Sequence, residues 1–159
     1  MTLTIAHAAR RDIPTILRFI GELAAFEEEP QSARATPEDL ERALFGQGAS
    51  AEAVIARLDG VAAGVAVFFE TFSTWTGRPG LHLEDLYVSP ASRGLGVGSA
   101  LMRHLARLAL QRGCARFEWA VLDWNRPAIA FYRSKGAEPL DQWRTYRVDG
   151  AALIKLAEA

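Results

Sequence analysis

The stretch LHLEDLYVSPASRGLGVG, residues 81–98, decides how this chain folds. An apolar strand carrying an acidic pair, Glu84 and Asp85, passes through a short turn into a loop with glycine at positions 94, 96 and 98, and that loop opens a helix. Glycines let backbone approach an anion closely, and the first N–H groups of a helix lack intrahelical partners and carry the positive end of its dipole. Arg93 adds a fixed charge, so the stretch reads as a pyrophosphate cradle. A nucleoside triphosphatase loop would need a lysine followed by Ser or Thr after the last glycine, and Ser99, Ala100 and Leu101 stand there instead. A dinucleotide fingerprint would place G-x-G-x-x-G directly after the strand, whereas Ser89 to Ser92 intervene and the glycines alternate.

Working outward, Thr2 to Ala6 reads as an opening strand. Asp12 is a candidate N-cap for a helix reaching about Phe26, with Ile13, Ile16, Leu17, Ile20, Leu23 and Ala24 at helical spacing. Thr36-Pro37-Glu38-Asp39 carries the signals that open a second helix, ending near Gly46. Ala53 to Leu58 and Val61 to Phe72 form two strands joined by an Asp59-Gly60 turn. Leu81 to Val88 is a strand and Val97 to Arg112 a helix; Phe117 to Leu122 is a buried strand, Pro127 to Lys135 a short helix, and Arg144 to Val148 a last strand. The order β-α-α-β-β-β-α-β-α-β defines an α/β protein with a mixed sheet.

The chain has 159 residues, half of them apolar, and a net charge of −1. It reads as one domain over residues 1–159, with no basic excess to favour nucleic acid or an anionic membrane. No apolar run approaches the roughly 20 residues of a membrane span. A lone Cys114 and three histidines without ligand spacing predict a cytoplasmic protein with no metal.

A second motif lies further on: Asn125-Arg-Pro-Ala128-Ile-Ala-Phe131-Tyr132-Arg-Ser-Lys-Gly136. It resembles the N-x-x-A-x-x-F-Y-x-x-x-G motif of the GNAT N-acetyltransferases, and R-x-x-G-x-G at Arg93, Gly96 and Gly98 resembles their acetyl-coenzyme A signature. Glu22 to Glu27, Trp75-Thr76-Gly77, Leu83-Glu84-Asp85 and Trp143-Arg144 extend the likeness to the diamine branch, which includes spermidine/spermine and thialysine acetyltransferases. The resemblance implies a mixed, mostly antiparallel central sheet, flanked by helices and splayed into a V between central strands where coenzyme A enters. It also implies a homodimer. Phe26 stands where relatives carry a hydroxyl-bearing aromatic, and Ala25 where they carry a longer polar residue.

Acetyl transfer to an amine needs a held thioester, a deprotonated amine and a proton donor for the departing thiolate. For the first, Arg93, Gly94, Leu95, Gly96, Val97, Gly98 and Ser99 would cradle the pyrophosphate of acetyl-CoA. By resemblance, the main chain of Leu86 and Val88 and the side chain of Asn125 would hold its pantetheine arm; Asn125 is equally a plain helix N-cap. Tyr132 matches the family's general acid, and a phenol with a pKa near 10 keeps its proton at neutral pH. Its structural alternative is an aromatic packed beside Phe131.

The acceptor ammonium, with a pKa near 10.4, needs a base or a desolvated site. Glu84 is the candidate base and by resemblance lies in the substrate channel. Asp85 should face the opposite way unless the strand bulges, and is either a polar strand-end partner or a substrate ligand. Glu27 is a further substrate candidate among Glu27, Glu28 and Glu29, which are otherwise a solvated helix end. Trp75 and Trp143 would wall the channel around a cation, or anchor a dimer. His82 shares a strand face with Glu84, and Cys114 reads as packing. The expected activity is acetyl transfer to a small cationic amine by direct attack in a ternary complex. The alternatives are acetylation of a protein N-terminus or lysine, and a non-catalytic acyl-CoA-binding regulator.

Overall fold

The sheet grows outward from the hairpin at Asp59-Gly60. Strands β2 (Glu52–Leu58) and β3 (Val61–Ser73) pair antiparallel across that turn. The opening strand β1 (Leu3–His7) joins β2, and β4 (Arg78–Val88) joins β3, both antiparallel. A short β5 (Arg116–Trp119) lies parallel to β4, giving the order β1-β2-β3-β4-β5. The computed structural model describes residues 1–159 and gathers them into two compact units, Met1–Ala120 and Val121–Ala159.

In the first unit, helices α1 (Ile13–Phe26) and α2 (Pro37–Phe45) connect β1 to β2, and α3 (Val97–Gln111) connects β4 to β5. Ile16 and Phe19 of α1 pack against Ile55, Val65 and Tyr87. Strand alternation sends Gly64 to the other face. There a Cβ would lie 3.2 Å from Val97 and 3.3 Å from Leu101, so α3 covers that side at a distance only glycine allows. The sheet is thus buried on both faces, and its central strands read as near-continuous apolar runs.

Thr36 caps α2 as its sequence predicts: its hydroxyl accepts from Asp39 N at 3.2 Å, and Asp39 accepts from Thr36 N at 2.9 Å. Asp12 departs from its expected role. It is buried and caps no helical N–H; its carboxylate accepts instead from Ala9 N at 2.8 Å and Arg57 Nη2 at 2.5 Å, joining the start of α1 to β2. A buried charge needs such partners, and this requirement outweighed capping.

Two irregularities shape β4. Its ladder with β5 ends at Leu83 opposite Trp119, so no strand pairs with residues 84–88 on that edge. This is the expected splay, and the predicted strand Phe117 to Leu122 is accordingly shorter. On the other edge, Val67 faces Asp85 while Phe68 faces Leu83, which leaves Glu84 as the extra residue of a β-bulge.

The second unit contains α4 (Arg126–Arg133) and α5 (Gly150–Glu158). Asn125 caps α4, its Oδ1 accepting from Ala128 N at 3.3 Å. The strand expected at Arg144 to Val148 does not form, and those residues have no strand partner within the chain. Helix α5 was not foreseen, although Asp149 precedes a run of strong helix formers.

Candidate active site

The unpaired edge of β4 presents a row of main-chain donors and acceptors from Glu84 to Val88. It can accept an extended amide-bearing ligand as a further strand would be accepted. Leu86 and Val88, assigned to the pantetheine arm from sequence, lie in this row. After Val88 comes a tight turn at Pro90–Ser92 and then the loop to α3. Gly94 and Gly96 have φ values of 77° and 80°, and a Cβ at either would meet no protein atom within 4 Å. Left-handed backbone beside open space is what a cradle for an anion requires.

The first helical bond of α3 runs from Ala100 N to Gly96 O at 3.0 Å. The N–H groups of Val97, Gly98 and Ser99 precede it and point out from the helix's positive end. Leu95 is exposed at the loop crest. Arg93 Nε donates to the Val88 carbonyl at 3.2 Å, and its guanidinium carbon lies 5.8 Å from the Phe26 ring and 5.9 Å from the Tyr87 ring. These residues fit a diphosphate joined to a strand-like arm.

Acidic groups gather where the open edge begins. The bulge interrupts strand alternation at Glu84 and Asp85, the exception under which the two need not face opposite ways. Burial pushes the Asp85 carboxyl up to about 6, helped by the negative charges of Glu84 and then Glu27. Burial also raises Glu27, the residue closing α1. Glu84 is more than half exposed, with its Oε2 3.7 Å from His82 Nε2, while the His82 ring stacks on Phe69 at 4.9 Å. A carboxyl raised in this way by burial and by two acidic neighbours can accept a proton near neutral pH, and the negative charge gathered around it suits an ammonium group.

Trp75 is 79% exposed in the turn of the β3–β4 hairpin. Asp85 lies seven residues along β4 from Arg78, roughly 23 Å at the rise of a strand. One chain therefore does not bring Trp75 to the carboxylates. Glu28 takes a left-handed φ of 64°, and Glu29 accepts from Ser32 Oγ at 3.2 Å. Cys114 is buried and burial pushes its thiol up, which suits packing and disfavours a thiolate nucleophile. In the second unit, Tyr132 lies on α4 with its ring 5.4 Å from Phe131, and Trp143 is 63% exposed.

Sequence reading missed Glu22 and Tyr87 as a pair. Tyr87 Oη donates to Glu22 Oε2 at 2.7 Å. The available signal was Glu22 lying one turn from Phe19 on the inward side of α1, and a tyrosine at an inward position of β4.

A bulged acidic strand with one open edge, followed by a glycine-rich turn into a helix, is an arrangement that suits a diphosphate-bearing ligand laid along a strand edge. The chain belongs to the Acetyltransferase (GNAT) family, whose pattern matches residues 17–137. It is similar to thialysine N-epsilon-acetyltransferase of Sus scrofa, 34% identical over 98% of each chain. The Caenorhabditis elegans enzyme of that name is 38% identical, covering 99% of this chain and 96% of its own. An integron cassette protein from the mobile metagenome of V. cholerae superposes with a TM-score of 0.83 at 28% identity, covering 100% of this chain and 99% of that one. The chain is thus an N-acetyltransferase of the GNAT type, close to thialysine and polyamine acetyltransferases.

Proposed function

We propose that this protein moves acetyl from acetyl-CoA to a primary amine of a small cationic acceptor, a polyamine, a diamine or a lysine-like amino acid. One observation carries the reading. Glu84 and Asp85 stand on a bulge where the open edge of β4 begins, and Glu27 adds its charge. A cationic amine attracted there meets a thioester arm bound along residues 86–88. Relatives named for thialysine acetylation support the same acceptor class.

In the proposed reaction the amine nitrogen attacks the thioester carbonyl carbon, the new C–N bond forms, and the C–S bond breaks. Glu84, directly or through water, takes the amine's proton, and the thiolate receives one from the Tyr132 hydroxyl. Asp85 and Glu27 hold the ammonium, Trp143 supplies an aromatic face to it, and Trp75, distant from the carboxylates within one chain, supplies one from the second copy of a homodimer. Asn125 and the main chain of Leu86 and Val88 hold the pantetheine arm, while Arg93 through Ser99 hold the pyrophosphate. Attack is direct, a reading that the raised thiol of Cys114 supports.

We further propose one catalytic domain over residues 1–159, acting as a homodimer in the cytoplasm. The family match crossing the boundary between the two units supports the first point. No helix is long and apolar enough to cross a membrane, and a single buried cysteine suits a reducing compartment.

The test is release of free thiol from acetyl-CoA with spermidine, spermine, putrescine, thialysine, lysine and basic peptides as acceptors. Turnover on one small amine is expected, with Tyr132→Phe slower by about 10²–10⁴-fold. Turnover on peptides alone would replace the acceptor class. Tight acetyl-CoA binding without turnover would replace the enzyme by a cofactor-sensing protein.

A further inference from the structure

Arg93 supplies the only side-chain cation of the proposed cradle, and a long flexible arginine is a poor anchor unless something holds it. Three contacts do so. Its Nε donates to the Val88 carbonyl, and its guanidinium lies beside both the Phe26 and Tyr87 rings. Tyr87 is itself fixed: it is buried against Phe19, with ring centroids 5.4 Å apart, and its hydroxyl donates to Glu22 Oε2. Glu22 is fixed in turn, its Oε1 accepting from Arg18 Nη1 at 2.9 Å.

Arg93 and Glu22 act on the same phenol in opposite senses. Burial and then the hydrogen bond to Glu22 push the Tyr87 hydroxyl up, whereas Arg93 opposes them. The Glu22 carboxyl is held below its usual range, first by the Tyr87 hydroxyl, with Arg18 and Arg93 adding to it. Linked polar groups of this kind polarise and rigidify one another.

We propose that Glu22, Phe26 and Tyr87 form a clamp that positions Arg93 for the diphosphate of acetyl-CoA, and so ties the cofactor loop to helix α1. The inference rests on the reading of residues 93–99 as the acetyl-CoA cradle. All three are positioning residues that act through Arg93. Because Phe26 immediately precedes Glu27, the element that steadies the cofactor's charge also carries a ligand for the amine.

The experiment measures the dissociation constant for acetyl-CoA by calorimetry, and the KM values for acetyl-CoA and S-acetylpantetheine, which lacks the diphosphate. Tyr87→Phe, Glu22→Ala, Phe26→Leu and Phe26→Tyr are compared, each alone and combined with Arg93→Ala. Arg93→Ala alone should weaken acetyl-CoA about tenfold or more. Tyr87→Phe, Glu22→Ala and Phe26→Leu should each weaken it roughly three- to fivefold, the size of a cation–π contact or a neutral hydrogen bond. The loss should appear in KM for acetyl-CoA rather than in kcat, be absent with S-acetylpantetheine, and vanish in the Arg93→Ala background. Phe26→Tyr, which keeps the ring, should restore binding.

Losses that add fully to Arg93→Ala, or that are equal for S-acetylpantetheine, would overturn the clamp and leave the cradle standing. An Arg93→Ala variant that binds acetyl-CoA normally would overturn the cradle and the clamp with it. If Tyr87→Phe or Glu22→Ala unfolds the protein, the half-exposed Phe26 still decides the matter through its Leu and Tyr variants.

Discussion

The Asp85 carboxylate sets a cost in stability against the amine-binding role proposed for it. Its carboxyl is raised from 3.8 to about 6, so between about pH 4 and 6 the folded protein keeps a proton that the unfolded chain has released. Stability therefore falls as pH rises through that window, and a cost of order 1–3 kcal/mol persists above it. Asp85→Asn should raise the melting temperature at pH 7.5 and leave it nearly unchanged at pH 4. If the carboxylate serves the amine, the same variant should lose at least tenfold in kcat/KM, and the acid limb of the pH profile near 6 should disappear. Melting curves at the two pH values, with a rate profile from pH 5 to 9, check both outcomes. The acids at 84 and 85 were legible in sequence but their shared environment was not. The bulge has no Gly or Pro to announce it and arises from pairing between β3 and β4, a non-local event.

Elements whose causes are local could be read directly. The Thr36 cap, the Asp59-Gly60 hairpin and the opening of α3 after Gly96 each follow from residues within one turn of the feature. Gly96 gives this a consequence for function. At φ 80° an alanine would be strained by about 1–2 kcal/mol, and relief of that strain would turn the N–H groups of Val97, Gly98 and Ser99 away from a bound anion. Gly96→Ala should therefore lower the melting temperature by a few degrees and raise KM for acetyl-CoA roughly tenfold, with a smaller change in KM for the amine. Substrate-saturation curves against each partner separate these effects. The strand expected at Arg144 to Val148 shows the opposite case. Its composition suits a strand, but a strand exists only in a pair, and the chain offers those residues none.

The second unit bears on the whole molecule through the apolar surface it leaves open. Leu140, Trp143, Tyr146 and Val148 lie exposed in a segment without strand pairing, and Leu153, Ile154 and Leu156 are exposed on α5. Leu153 and Leu156 are three residues apart and so share one side of that helix. Apolar groups in such number on a surface mark a contact with another molecule, and a stable interface needs on the order of 1,000 Å². The proposed homodimer answers that need, and it reconciles Trp75 with its distance from Asp85 in one chain, since an exposed tryptophan serves a dimer contact as well as a substrate wall. Sedimentation at micromolar concentration should thus give about twice the 17.4 kDa chain mass. Leu153→Glu with Leu156→Glu should halve it, because two carboxylates cannot enter an apolar contact unpaired. Trp75→Ala then separates its two roles: a weaker dimer with unchanged KM for the amine assigns it to the interface, and a raised KM in an intact dimer assigns it to the channel. A wild-type chain that sediments as a monomer would remove the homodimer and leave the tryptophan's role to the KM measurement alone.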